Sequence, residues 1–118
     1  MNGSSQKVNG IRVFREGRIG ESIEHLSLAV IQDPGDVESH SFLGAAYAAD
    51  GRFREAIDAF RHALELRPDL VTTHYNLGVA LLKGGRKDEA LQALRRAVDM
   101  RPNYHPASDA LQDLTQEG

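Results

Sequence analysis

The chain has 118 residues, with 14 Lys and Arg against 17 Asp and Glu, and a net charge of −3 at neutral pH. This balance argues against nucleic acid as a main partner, because phosphate binding needs a concentrated basic surface. The absence of cysteine excludes disulfides and thiolate chemistry. No segment approaches the roughly 18 apolar residues of a membrane span, and the first residues do not resemble a signal peptide. We therefore expect a cytoplasmic protein without membrane contact.

Three segments align with one another at a spacing of 34 residues. Leu43 and Gly44 recur as Leu77 and Gly78, Pro68 recurs as Pro102, and a fainter copy precedes them. A period of this length is typical of stacked repeat arrays. We predict one domain over residues 1–118, with repeats at 3–36 (divergent), 37–70 and 71–104 and a final segment at 105–118.

Repeat one has the weakest helical pattern. Its first half contains Ser4, Ser5, Asn9 and Gly10, which are poor helix formers. We expect this helix to fray unless packing holds it. Gly17 marks the predicted turn of this repeat, in line with Gly51 of the next.

Repeat two shows the helical pattern most clearly. Leu43, Ala46 and Tyr47 form one apolar stripe, and a second stripe runs from Phe53 to Leu64 at spacings of three and four. Gly51 between them can take the left-handed geometry that ends a helix. Pro68 stops the second helix because proline has no amide donor. The pattern therefore predicts two helices joined by a tight turn.

Repeat three follows the same plan, and the last segment extends it. The turn falls at Gly84-Gly85 and the stop at Pro102. Gly44 and Gly78 lie inside predicted helices, where glycine costs about 1 kcal/mol, so we expect a neighbouring helix to pack closely against them. Residues 105–118 are predicted to form a capping helix with one polar face.

These repeats resemble the tetratricopeptide repeat (TPR) family. The residues that carry the resemblance in repeat two are Leu43, Gly44, Tyr47, Ala56, Phe60, Ala63 and Pro68. Repeat three keeps most of them, whereas repeat one has Asn9 in place of leucine and Ser22 in place of alanine. The resemblance implies an all-α fold, a right-handed superhelical α-solenoid of antiparallel helix pairs.

In that family the first helix of each repeat lines a concave groove that receives a peptide, a helix or another protein. The resemblance implies a partner-binding groove in this chain as well. The corresponding residues are Lys7, Ile11, Phe14, Arg15, Glu38, Phe42, Ala45, Ala49, Thr72, Tyr75, Asn76, Val79, Leu82 and Lys83. Small side chains at 45, 48 and 49 leave room for a bulky ligand, so an amphipathic helix or apolar extended segment is expected.

One TPR subclass grips the C-terminal carboxylate of chaperones with two lysines, an arginine and two asparagines. Lys7 matches the first lysine, but Ile11, Phe42, Thr72 and Asn76 occupy the other four places. The sequence therefore argues against a chaperone tail as ligand. Phe42 and Tyr75 fit ligand contact and gap filling between helices equally well.

Catalysis and metal binding have little support. His40 and His74 share a repeat position, but no set of three or four ligands accompanies them. The other three histidines show no partner pattern, and no nucleophile–base arrangement is visible. We predict a scaffold for protein–protein interaction that is not an enzyme and uses no cofactor. The alternatives are a self-assembling structural protein and a regulatory or targeting module of a larger protein.

Overall fold

A computed structural model of the chain describes residues 3–117, and all regular secondary structure in that range is helical. The seven helices fit three repeats plus a capping helix. They are α1 (Gly3–Arg15), α2 (Ile19–Gln32), α3 (Val37–Ala49), α4 (Phe53–Leu66), α5 (Val71–Lys83), α6 (Lys87–Met100) and α7 (His105–Glu117). Within residues 3–117, no helix combines the length and apolar character needed to cross a membrane.

The turn inside each repeat has the same geometry three times. Gly17, Gly51 and Gly85 have φ of 80°, 78° and 81°, a left-handed conformation that glycine adopts without steric cost. In repeat two, Arg52 N–H donates to Tyr47 O at 2.9 Å and Gly51 N–H donates to the carbonyl of residue 48 at 3.0 Å. This pair of bonds is the Schellman motif. The predicted turns are confirmed at all three positions.

The two helices of each repeat approach closely at a glycine in the first helix. A Cβ at Gly44 would lie 2.7 Å from the ring of Phe60, and one at Gly78 would lie 2.8 Å from Leu94. Both distances are too short for a real contact. The alanines of the second helices at 56, 63, 90 and 97 are fully buried. The predicted close packing is therefore confirmed.

The helix pairs stack into a right-handed superhelical α-solenoid, as the family resemblance implies. One buried cluster spans repeats two and three and joins Ile57 and Phe60 to Leu77 and Leu81. At the end of the array, α7 buries Ala107 and Leu114, and the opposite face of α7 carries exposed polar residues at 112, 113 and 116. This polar face fits the predicted capping role.

Packing holds α1 in a regular helix despite its weak propensity. Gln6 is buried, and its Oε1 lies 2.7 Å from Nδ1 of His25. The buried Ser22 hydroxyl donates to the carbonyl of Gly10 at 2.9 Å. The serine that departs from the family pattern thus ties α2 to α1. These two bonds add to the apolar packing of α1, in which Val13 is buried and Ile11 and Phe14 pack against the cluster around Leu26.

A methyl group at Gly44 should destabilise the protein. We expect Gly44→Ala to lower the free energy of unfolding by about 1–3 kcal/mol, because the added atom overlaps Phe60 in a packed core. The matched control is Gly20→Ala in α2, where a Cβ would meet no atom within 4 Å. That change should instead stabilise by about 0.4–1 kcal/mol. Urea unfolding of both variants measures these changes in the free energy of unfolding. Equal changes in the two variants would contradict the close approach at Gly44.

Candidate functional site

The first helices of the three repeats, α1, α3 and α5, lie side by side along the array. We call the surface that they form the groove, following the family resemblance. Its side chains come from all three helices, and the short turns at Gly17, Gly51 and Gly85 fix how each helix is presented. The groove contains two pockets with different linings.

The first pocket lies between α3 and α5 and has a volume of about 310 Å³. We call it the α3/α5 pocket. Its lining is mostly aliphatic and aromatic, and it consists of Ala45, Ala48, Phe53, Phe60, Tyr75, Asn76, Val79, Ala80 and Lys83. Six of these nine were placed in the groove from the sequence. Phe53, Phe60 and Ala80 belong to the apolar core stripes, and no sequence signal distinguishes a core residue that also borders a pocket.

A comparison of repeat positions explains why this pocket is open. Between α1 and α3, the rings of Phe14 and Phe42 meet edge to face at 5.9 Å and fill the junction. One repeat later the same two positions hold Ala48 and Asn76. The smaller side chains leave the space between α3 and α5 unfilled. The backbone geometry is thus repeated, but the side chains fill the junction between α1 and α3 and leave the one between α3 and α5 open.

Polar groups at the rim of the α3/α5 pocket have no partner within the described residues. The Asn76 side chain is half-buried and makes no hydrogen bond there. Lys83 makes no ion pair within the same range. An amide in an apolar setting favours a hydrogen-bonded partner. The rim therefore offers one amide and one cation to a ligand.

A second pocket of about 470 Å³ lies on α1 and is lined by Val8, Ile11, Arg12, Arg15 and Glu16. Val8 is 64% exposed, which is unusual for a valine in a packed repeat. The guanidinium carbon of Arg15 lies 5.8 Å from the centre of the Phe42 ring. Phe42 therefore packs between Phe14 and Arg15 at the first junction and lines neither pocket.

Lys7 is engaged within the protein. Its ammonium lies 3.2 Å from the Asp36 carboxylate and 2.9 Å from that of Glu38. The hydrogen bond to Glu38 is the largest influence, and it raises the pKa of Lys7. Partial burial raises the pKa of Asp36, but hydrogen bonds from Ser39 and Lys7 outweigh it, and the pKa of this carboxyl is below its usual value. The cluster ties α1 to the start of α3.

The remaining predicted groove residues lie outside both pockets. Ala49, Thr72 and Leu82 are exposed. Tyr75 borders the α3/α5 pocket and also packs edge to face on Tyr104, with ring centres 5.8 Å apart. Tyr75 therefore fills a gap beside Tyr104 and also lines a pocket; contact with a ligand stays a prediction.

The histidines have structural partners. Nε2–H of His40 donates to the carbonyl of Pro34 at 2.8 Å, and His74 repeats this bond to Pro68. The shared repeat position therefore reflects a link between successive repeats. Two of the other histidines make contacts of a structural kind: His62 stacks on His40 with ring centres 5.5 Å apart, and His25 contacts Gln6. Within residues 3–117, no group of three metal-ligating side chains lies together.

The family profile of the tetratricopeptide repeat matches residues 38–103, more than half of the chain. The chain belongs to the tetratricopeptide repeat family. No curated protein matches the sequence.

Solved structures give the same fold. The first TPR of Spaghetti (RPAP3), bound to the HSP90 peptide SRMEEVD, superposes with a TM-score of 0.93 at 21% identity, over 98% of this chain and 92% of that one. The Arabidopsis OM64 TPR domain superposes with a TM-score of 0.92 at 18% identity, over 97% of this chain and 94% of that domain. YrrB, a TPR protein with an unusual peptide-binding site, superposes with a TM-score of 0.91 at 25% identity, over 95% of this chain and 58% of YrrB.

The link between α1 and α3 should depend on pH with a defined sign. The folded-state pKa of Asp36 lies below the ordinary 3.8, so its stabilisation is complete above that value and is lost as the pH falls through the folded pKa. We expect Asp36→Asn to lower the free energy of unfolding by up to about 1 kcal/mol near neutral pH. Near pH 2 the difference from the parent should shrink.

Chemical unfolding at both pH values measures this effect. The control is Asp113→Asn on the exposed face of α7, which should change the free energy of unfolding little at either pH. An Asp36→Asn deficit of the same size at both pH values would contradict the proposed link.

Proposed function

We propose that the protein is an interaction scaffold that binds a segment of a partner protein along the groove. The partner inserts an apolar side chain into the α3/α5 pocket. The observation that carries this proposal is the contrast between the two junctions. Phe14 and Phe42 close the first, whereas Ala48 and Asn76 leave the second open. Catalysis has no part in the proposal.

The size and chemistry of the pocket suit a single large side chain. A volume of about 310 Å³ accommodates one leucine, methionine or phenylalanine side chain with space around it. Full burial of such a group contributes about 1.5–3 kcal/mol. The unpaired Asn76 amide is placed to bond with the backbone of the inserted segment. The rigid helix pairs hold these groups in position before binding, which limits the entropic cost of association.

The comparisons support a peptide as partner. YrrB is a TPR protein with an unusual peptide-binding site, and the Spaghetti (RPAP3) domain holds an HSP90 peptide. For this chain we propose a ligand other than a chaperone C-terminal tail. Four of five clamp positions differ, and Lys7, the fifth, is already paired with Asp36 and Glu38. A regulatory or targeting role within a longer protein would use the same groove.

Filling the α3/α5 pocket should abolish binding. The double variant Ala48→Phe/Asn76→Phe reproduces at the second junction the aromatic pair that closes the first. A displayed library of random twelve-residue peptides serves as the probe. We expect peptides selected on the parent protein to lose at least about tenfold in affinity on the double variant, because one buried apolar side chain is worth at least that.

The matched control is Arg96→Phe, which adds one aromatic ring at an exposed position of α6. It should bind the selected peptides like the parent. Circular dichroism and thermal unfolding verify that all variants keep the fold. Undiminished binding to a folded double variant would overturn the assignment of the α3/α5 pocket.

Self-association is a second candidate, favoured by the apolar residues left exposed in repeat one. Val8 is 64% and Ile31 72% exposed, and at the position of Ile31 the later repeats have Glu65 and Asp99. The exposed face of α7 is polar, so we place any contact between copies at repeat one.

Light scattering over a wide concentration range tests self-association. We expect any mass above that of the monomer to disappear in the double variant Val8→Asp/Ile31→Asp, because a charge in an apolar contact carries a desolvation cost. The control is Gln116→Asp on α7. A constant monomer mass would exclude this candidate, and loss of assembly in the control alone would move the contact to α7.

A further inference from the structure

Of the 14 Lys and Arg residues, seven make an ion pair within residues 3–117 and seven make none. Two of the unpaired seven, Arg15 and Lys83, belong to the groove; the others are Arg54, Lys87, Arg95, Arg96 and Arg101. Many surface arginines are held by a carboxylate within ion-pair distance, among them Arg12, Arg18, Arg52 and Arg86. Lys83 and Arg15 make no ion pair within residues 3–117. Arg15 contacts the Phe42 ring instead, and Lys83 lines the α3/α5 pocket.

The two unpaired cations of the groove, Arg15 and Lys83, occupy the same repeat position. Each follows an aliphatic residue by one helical turn. Val79 precedes Lys83 on α5, and Ile11 precedes Arg15 on α1. Residues four apart lie on one face of a helix. Each pocket of the groove is thus lined by an aliphatic side chain and a cation in the same relative arrangement.

Within residues 3–117, the acidic side chains that line the groove are already ion-paired. Glu38 pairs with Lys7, and Glu16, which lines the second pocket, pairs with Arg12 and Arg18. The groove therefore presents positive charge, although the chain as a whole carries a net charge of −3. Arg15 and Lys83 are exposed, so each can pair with a ligand carboxylate with the modest energy of a surface ion pair.

We propose, resting on the proposed function, that the partner segment is acidic as well as apolar. It carries a large apolar side chain for the α3/α5 pocket and an Asp or Glu next to it that pairs with Lys83. Towards α1, a second carboxylate pairs with Arg15 beside Ile11. The ligand chemistry is thus an internal apolar anchor with acidic neighbours, and it requires no terminal carboxylate.

A purely structural role for the cations makes a different prediction. Arg15 and Lys83 are the last residues of α1 and α5, where a positive charge stabilises the helix dipole. If that were their whole role, replacing Lys83 would change stability but leave ligand preference unchanged. Measuring the charge of the peptides that bind therefore distinguishes a structural role of Lys83 from a role in ligand recognition.

The experiment is a selection from the displayed library of random twelve-residue peptides, carried out in parallel on the parent, on Lys83→Glu and on Lys87→Glu. Lys87→Glu changes the net charge equally but lies at the start of α6, outside the pocket lining. The sequenced pools report which residues flank the apolar anchor. Only peptides that lose affinity on Ala48→Phe/Asn76→Phe are counted.

We expect Asp and Glu to be enriched at least about threefold beside the anchor on the parent and on Lys87→Glu, and Lys and Arg to replace them on Lys83→Glu. A Glu→Gln change in a selected peptide should weaken binding about two- to fivefold, the range of a partly exposed ion pair. This loss should diminish with added salt, and Arg15→Gln should give a further loss.

The outcomes separate the two proposals. Pocket-dependent peptides without acidic neighbours, or with the same neighbours on Lys83→Glu, would overturn this inference and leave the proposed function standing. A selection that yields no pocket-dependent peptide would overturn the proposed function itself.

Discussion

The close approach of the two helices within each repeat is the constraint on which the structure depends. It is possible only because the first helix carries glycine where the second helix presents Leu26, Phe60 or Leu94. A side chain there would push the helices apart and displace the alanines packed between them. Together with the glycine turns, this contact sets the angle and spacing of each pair. The groove is the consequence, since stacked pairs of fixed geometry place their first helices side by side.

The backbone is the same in each repeat, but different side-chain interactions occupy the junctions between successive helix pairs. The ion pair of Lys7 and Asp36 ties α1 to the residue that precedes α3. At the same two repeat positions, the edge-to-face contact of Tyr75 and Tyr104 ties α5 to the residue that precedes α7. At another pair, Phe14 packs on Phe42, whereas the next junction remains open. Different side-chain pairs are tolerated at equivalent repeat positions because the core already fixes the helices. Each pair only fills the space between two helices or leaves it open. Sites for a ligand arise where the filling is incomplete.

The fold followed from the sequence because its signals are local and occur three times. The turn glycines, the stopping prolines and the apolar stripes each act within a few residues, and the 34-residue period confirms each by its copies. Even α1, the weakest element, was placed correctly. Its stability, however, depends on Gln6, His25 and Ser22, whose partners lie in another helix. Local propensity alone could not have supplied them.

The candidate site was only partly foreseen. The sequence by itself determined the repeat and the helix pairs, because these depend on periodicity along the chain. The helix faces assigned to the groove follow from the family resemblance and stay a prediction. Tertiary structure alone decided that Lys7 is occupied by Asp36 and Glu38, that Phe42 fills a junction, and that the opening lies between α3 and α5. The physical reason is that ion pairs and pockets depend on distances between residues far apart in sequence, which helical periodicity does not specify.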